Sequence, residues 1–280
     1  MNSRGRAKPW QVKGEKRSTP PMTFEAKRMN STPEKAAVRL NRYLALVGVG
    51  SRRFCDDIIT SGRVSIDGKK IDNPGVKVIP GENTVSIDGI PVENPQAPTI
   101  LILNKPPGVV STVSDPLGRP TVLDLSKKYA KNRRLYPIGR LDVNTTGAIL
   151  LTNDGLLCYR LTHPRFQVPR TYLARVRGAV TEKKLAKLNK LVGSSRKGDA
   201  YKQGRPRAEL IKALDRESIL RVTLYEGKNR QVRRLCEAVG LRVVKLKRVQ
   251  FGPVTIRKLP LGAVRPLQQK EIIRLRKIIQ

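Results

Sequence analysis

Residues 139–155 read GRLDVNTTGAILLTNDG. The stretch falls into two halves. Up to Gly147 it is polar and rich in Thr and Gly, with one acid, Asp142. From Ala148 to Thr152 it is an apolar run that closes on the turn Asn153-Asp154-Gly155. A short apolar run bounded by turn residues reads as a strand buried inside a sheet. A polar loop feeding such a strand displays its side chains at the rim of the sheet, where functional groups are commonly held. Taken alone, an aspartate in such a loop is a turn former or a helix cap. Asp142 becomes a candidate only through its surroundings.

Further strand-like runs lie at 99–104, 171–177, 209–214 and 219–225. Helical patterns alternate with them. Thr181 is placed to cap a helix carrying Leu185, Leu188 and Leu191. Another helix is expected from Asn229 to Val239, with Val232, Leu235, Cys236 and Val239 inward and Gly240 as its stop. Strands and helices joined by short turns predict a mixed α+β domain with a substantial sheet. No internal repeat is found.

Toward the N-terminus the pattern is different. Leu40, Tyr43, Leu44 and Val47 recur at helical spacing before Gly48, and Ser51 opens a second helix with Cys55, Ile58 and Ile59 inward and Gly62 at its end. Short strands follow at 63–66, 76–79 and 84–87, the first and last closing on Asp67-Gly68 and Asp88-Gly89. Arg39, Arg42, Arg52, Arg53, Arg63, Lys69 and Lys70 fall on outward positions, so this small unit has a basic face suited to an RNA backbone. The bland alternative is a solvated surface. Glu93-Asn94-Pro95-Gln96-Ala97-Pro98 has the composition of a linker. Three segments are therefore expected: a disordered basic tail at 1–37, with Trp10 an exposed residue in it, a small module at 38–95, and a larger domain at 99–280.

Charge narrows the function. Lys and Arg number 57 against 22 Asp and Glu, a formal net charge of +35 over 280 residues. Such an excess repels itself in the folded state, and its natural counterpart is a polyanion. Nucleic acid fits best, because each neutralised phosphate releases a condensed counterion. No apolar run approaches the length of a membrane span, and no secretory signal opens the chain. Cys55, Cys158 and Cys236 are too widely spaced for a disulfide framework or a paired metal site, which suits a reducing cytoplasm. With His163 the single histidine, zinc and histidine-dependent mechanisms are hard to assemble; in its Thr-His-Pro setting it reads as structural.

Two more segments carry chemistry. Asn104-Lys105-Pro106-Pro107-Gly108, with Ser111 and Thr112 after it, is a rigid turn at a strand end that aims a lysine toward a cleft. Glu226-Gly227-Lys228-Asn229-Arg230-Gln231-Val232-Arg233-Arg234 gathers four cations at a strand-to-helix junction, where a helix N-terminus already favours anions. Without a partner motif this last segment is only a phosphate-binding face.

Read together, and in this order, the three motifs resemble those of the RsuA-type family of pseudouridine synthases. The stretch from Arg39-Leu40-Asn41-Arg42 to Ile66-Asp67-Gly68 resembles the alpha-L RNA-binding module found in a small-subunit ribosomal protein and in several RNA-modifying enzymes. The resemblance runs from about Arg39 to near the C-terminus and includes Phe251-Gly252-Pro253. Leu135-Tyr136-Pro137 and the basic termini look most like the RluB-type branch, which modifies large-subunit ribosomal RNA. Two departures are mild and are expected to lie away from the chemistry: Ala148-Ile149 where leucines are usual, and Arg170 where lysine is also common.

The resemblance implies an α+β fold with a mixed, largely antiparallel catalytic sheet behind a small N-terminal α/β RNA-binding module. It implies an isomerase that turns a uridine in ribosomal RNA into pseudouridine on a flipped-out base, without metal, nucleotide or other small-molecule cofactor. Asp142 then matches the catalytic carboxylate, Arg233 the arginine beside it, and Tyr172 the active-site tyrosine whose ring stacks on uracil. Arg140 is expected to fill the space the base leaves or to hold the neighbouring phosphate. Lys105, Lys228 and Arg230 are expected to touch the RNA backbone, with Arg39, Arg42, Arg52 and Arg53 doing so from the module. A monomer is implied, acting on ribosomal RNA free or within a partly assembled subunit, with no membrane partner. The rival from another class is a noncatalytic RNA-binding assembly factor, for which Asp142, Tyr172 and Arg233 would have no joint use. A methyltransferase would need a Gly-rich cofactor loop, and none is found.

Overall fold

A computed structural model of the chain describes residues 37–92, 97–130, 133–193 and 204–280. The expected tail up to Ala36, Trp10 with it, and Glu93 to Gln96 of the expected linker lie outside the described residues. Ala37–Gln280 forms one compact unit.

Its N-terminal part begins with β1 (Val38–Arg39), α1 (Leu40–Leu46) and α2 (Arg52–Thr60), then β2 (Val64–Ile66), β3 (Lys69–Ile71), β4 (Lys77–Val78), β5 (Val85–Ile87) and β6 (Ile90–Pro91). Ser51 caps α2 by accepting from the amide of Phe54 at 3.1 Å. Asp67-Gly68 and Asp88-Gly89 each take positive φ at both residues, 49° and 81° in the first and 50° and 81° in the second. That geometry matches the right-handed twist of paired strands, so each dipeptide closes a tight hairpin. The strands order β3-β2-β5-β6, and β1 pairs with β4. Leu40, Leu44, Cys55, Ile59 and Val64 pack beneath them with no exposed surface.

The remaining chain contributes β7 (Ile100–Lys105), α3 (Lys127–Ala130), β8 (Tyr136–Ile138), β9 (Thr146–Thr152), α4 (Gly155–Thr162), β10 (Arg170–Arg177), α5 (Glu182–Gly193), β11 (Arg207–Ala213), β12 (Glu217–Leu224), α6 (Gln231–Glu237), β13 (Arg242–Phe251), β14 (Val254–Thr255), β15 (Val264–Pro266) and α7 (Gln269–Lys277). One sheet runs β11-β12-β10-β13-β9-β7-β15, with β8 added to β9 and β14 to β13. All its pairings are antiparallel except β13 with β9. The sheet is thus mixed and largely antiparallel, as expected.

Both faces of its centre are covered. Leu101, Leu103, Ile149 and Leu151 meet α5 and α6 residues such as Leu188 and Val232 on one side. Ile102, Ala148 and Leu150 meet Leu157 and Leu161 of α4 and Leu275 of α7 on the other. This two-sided burial explains why β7 and β9 read as continuous apolar runs rather than alternating ones. Each fully buried Leu or Ile contributes roughly 1.5–3 kcal/mol.

The three longest elements that the sequence does not announce are α4, β13 and α7. Asp154 caps α4, its carboxylate accepting from the amides of Leu156 and Leu157 at 3.0 Å, where only a turn was read. The ten-residue β13 and the C-terminal α7 also went unassigned.

The parallel join of β13 to β9 is short: Lys247 faces Thr146 and Arg248 faces Gly147. Gly147 has φ +108°, and a Cβ there would lie 2.1 Å from the Arg248 carbonyl oxygen. Only glycine lets the two backbones approach this closely. The Thr-Thr-Gly sequence therefore marks where the halves of the sheet meet, directly after the Asp142 loop.

Candidate active site

The loop ahead of β9 is pinned on both sides of Asp142. Ser111 Oγ accepts from the Leu141 amide at 3.1 Å and donates to the Leu141 carbonyl at 2.9 Å. On the far side, the Val143 carbonyl accepts from the Gly108 amide at 3.1 Å and from Lys105 Nζ at 2.9 Å. The Asp142 carbonyl itself accepts from the Thr145 amide at 2.9 Å. The Pro-Pro-Gly turn and the segment after it thus form the cradle of the acidic loop. The Asp142 carboxylate, held half-buried by this cradle, faces open space.

Lys105 is where the sequence reading needs correction. It was expected to touch an RNA backbone, but it is wholly buried, and Nζ donates to the carbonyls of Pro106, Val109 and Val143 at 2.9, 2.7 and 2.9 Å. All three ammonium protons are engaged, which leaves none for a phosphate. Burial pushes its pKa down to about 8, against the pull of the Asp142 charge. It is a brace under the site.

Two adjoining cavities open on the loop. One of about 590 Å³ is lined by Asp142, Arg140, Arg230 and Arg233, with Ser111 and Val244. The other, about 430 Å³, is lined by Asp142, Arg140 and Arg230 again, and by Tyr172, Arg170, Arg248 and Phe251. Both fall in the size range of small-ligand sites. Arg233, on α6, is half-buried and donates to the Val243 carbonyl at 3.1 Å. Tyr172, on β10, is buried against the sheet with an edge on the smaller cavity. Asp142 therefore shares one cavity with Arg233 and the other with Tyr172, and Arg140 and Arg230 border both. Arg140 and Arg230 are exposed. Lys228 is exposed too and pairs with Glu226 at 3.2 Å.

The junction bearing Lys228 and Arg230 is held by its own acid. Glu226 accepts from the Gln231 side-chain amide, and Gln231 Oε1 accepts from the Lys228 amide at 3.2 Å. Arg230 completes the bend with φ +48°.

Residue reading missed two arginines here. Arg248 is buried on β13; its Nε donates to the Ala148 carbonyl at 2.7 Å, and Nη2 has no hydrogen-bond partner among the described residues. Burial lowers its pKa, and its interaction with Tyr172 opposes that shift. Arg170 donates to the Leu161 carbonyl at 3.1 Å, and its pKa is lowered to about 10, by burial first. The Arg170 and Arg248 guanidinium groups lie over the Phe251 ring, at 5.3 and 4.9 Å from its centre respectively. Arg170 thus sits on the cavity wall with Tyr172, and Ala148 anchors Arg248. Of the two departures, Arg170 lines the cavity, whereas Ala148 reaches Arg248 only through its backbone carbonyl. The available signal was a cation at an inward strand position, which looks no different from its exposed neighbours Lys245 and Lys247.

In the N-terminal part Arg39, Arg52 and Arg53 are exposed and Arg42 is half-buried. Arg63 is engaged with Asp88. His163 plays the structural part expected of it: Nδ1 accepts from the Arg165 amide at 3.2 Å, and the ring lies 5.0 Å from that of Tyr159. Among the described residues no group of side chains is arranged to hold a metal, and no helix is long and apolar enough to cross a membrane. A carboxylate fixed by its backbone, bordered by guanidinium groups and sharing a cavity with a tyrosine, is equipped to attack or deprotonate a planar, polar ligand held near anionic groups.

Comparison with known proteins points the same way. The family model described as RNA pseudouridylate synthase matches residues 99–238, and the S4 domain model matches residues 38–83. A Bacillus subtilis protein named ribosomal large subunit pseudouridine synthase B is 38% identical over 243 residues, covering 85% of this chain and 95% of that one. A protein of the same name from Salmonella typhimurium is 41% identical over 253 residues, covering 86% and 83%. Among solved structures, a crystal structure of a pseudouridylate synthase aligns with a TM-score of 0.56 at 29% identity, covering 85% of this chain and 99% of that one.

Proposed function

The chain belongs to the RNA pseudouridylate synthase family, and from that membership we propose that it isomerises one uridine of large-subunit ribosomal RNA, with Asp142 as the catalytic carboxylate. The observation that carries the assignment is the placement of Asp142: on a loop pinned at both flanking residues, between a cavity shared with Arg233 and one shared with Tyr172. The names of the relatives support the large-subunit substrate.

The reaction breaks the bond from ribose C1′ to uracil N1, turns the ring, and joins C1′ to C5. The proton on C5 is lost and N1 gains one, so atoms and electrons balance without a redox partner. In this reading the Asp142 carboxylate acts on the sugar, and Arg233 stabilises its charge. Tyr172 stacks on the uracil, and its hydroxyl carries the proton away from C5. The base must leave its stack to reach the cavity. Arg140, exposed at the rim, fills the gap or holds the next phosphate, and Lys228 and Arg230 contact the backbone beside it.

Residues 99–280 act as the catalytic domain, and 38–95 anchor the RNA through Arg39, Arg42, Arg52 and Arg53. A cytoplasmic monomer acting on free RNA or on an assembling subunit is consistent with this scheme. The test is release of tritium from ribosomal RNA transcripts labelled at uracil C5. Release by the wild type and none by Asp142→Asn is expected. No release from RNA that the wild type demonstrably binds would remove the reading.

A further inference from the structure

Away from the cavities around Asp142, a groove of about 600 Å³ runs between the N-terminal part and α4. Arg39, Arg42, Arg52 and Lys77 line one wall, and Arg134, Leu156 and Tyr159 line the other; no lining residue is acidic. Among the described residues none of these five cations is in an ion pair. Gathering five like charges in one groove is unfavourable unless an anion joins them.

The second wall adds shape. Leu156 and Tyr159 stand three residues apart on α4, hence on one face, and remain 43% and 46% exposed. The Tyr159 ring is backed by His163 at 5.0 Å and by the edge of Phe166 at 6.1 Å. An exposed ring already fixed from behind loses little freedom when something stacks on it.

We propose that this groove binds an unpaired segment of the substrate RNA, its phosphates against the five cations and a base on Tyr159. The proposal rests on the RNA-modifying assignment above and deepens it: the RNA at the N-terminal cations is an unpaired segment, and Arg134 and Tyr159 share in holding it. Charge spaced along a chain with flat apolar units between is the chemistry of single-stranded nucleic acid. A duplex keeps its bases inside and offers Tyr159 nothing to stack on. The chain's own first 36 residues are a poor occupant, for they carry nine Lys and Arg against three Glu and share the groove's sign.

The experiment uses the full chain with a fluorescent twelve-nucleotide oligouridine and a twelve-base-pair RNA duplex, read by anisotropy at several salt concentrations. Tyr159→Ala is expected to weaken oligouridine binding at least about fivefold and to leave duplex binding within about twofold, since stacking on an aromatic ring is lost for the single strand alone. Tyr159→Phe should bind like the wild type. Arg134→Gln, which removes charge without touching the ring, should reduce the salt slope for oligouridine by about 0.7. Unchanged oligouridine binding by Tyr159→Ala would overturn the proposal. So would equal loss for the duplex, or competition by polyglutamate as effective as by unlabelled oligouridine. Tritium release by the same wild-type preparation judges the isomerase assignment separately, so the two ideas can fail independently.

Discussion

The cations of the N-terminal part and those beneath the Asp142 loop are the same residue types in opposite physical states. Arg39, Arg52 and Arg53 stand in solvent, where their charges are screened and of use only to a bound anion. Lys105, Arg170 and Arg248 lie inside the sheet and are held by backbone carbonyls. Removing a partner from a buried charge is strongly destabilising, whereas an exposed charge is nearly dispensable to the fold. The comparison teaches that net charge indicates the partner and burial indicates which cations meet it.

The hardest strain on that view is Gly147→Ala, which should cost about 4 kcal/mol or abolish folding, because a Cβ would meet Arg248 backbone at a left-handed φ. Chemical denaturation measures it; a change under about 1 kcal/mol would mean that the join of β9 to β13 is looser than described.

Next in size is Lys105→Met, which orphans the carbonyls of Pro106 and Val109 and should lower stability by about 2–3 kcal/mol. Turnover should fall with it, since Val143 loses one of its two ties, while the salt dependence of RNA binding stays unchanged. A shallower salt slope instead would return Lys105 to the RNA surface. Its titration sharpens the point. The folded pKa of about 8 lies below the ordinary 10.5, so the unfolded chain holds the proton more tightly. The burial cost is therefore fully present below about pH 8 and is relieved as pH rises toward 10.5. Stability of the wild type should gain relative to Lys105→Met across that window, as followed by denaturation at stepped pH; a flat difference would contradict it.

Arg140→Ala should reduce turnover of full-length RNA about tenfold, or 1.4 kcal/mol, with an unchanged melting profile. Unaltered turnover would strike Arg140 from the site. The smallest effect on the fold is expected at Arg52→Ala and Arg53→Ala: stability within about 0.5 kcal/mol, and an RNA salt slope shallower by about one per cation removed.

Much of this was legible in the sequence, and each miss has its own physical cause. The acidic loop, the two N-terminal helices and both Asp-Gly hairpins are local patterns, decided by neighbours in the chain. β13 was not read because cations interrupt its apolar alternation and register shifts at Thr171/Tyr172 and Arg175/Val176 break its phase against β10. In α7 only Leu275 is buried, too little for an apolar face to stand out. α4 begins at a dipeptide that reads equally as a turn. The burial of Lys105 depends partly on the Val143 carbonyl, 38 residues away. The sequence displays a lysine after a strand and gives no sign of which carbonyls will surround it.

The most direct test of the account is pseudouridine mapping of ribosomal RNA from cells lacking this protein, complemented with the wild type or with Asp142→Ala. The account predicts loss of one pseudouridine in the large-subunit RNA, restored by the wild type alone. Rescue by the alanine variant, or no missing site, would contradict it and leave an RNA-binding protein in place of the enzyme.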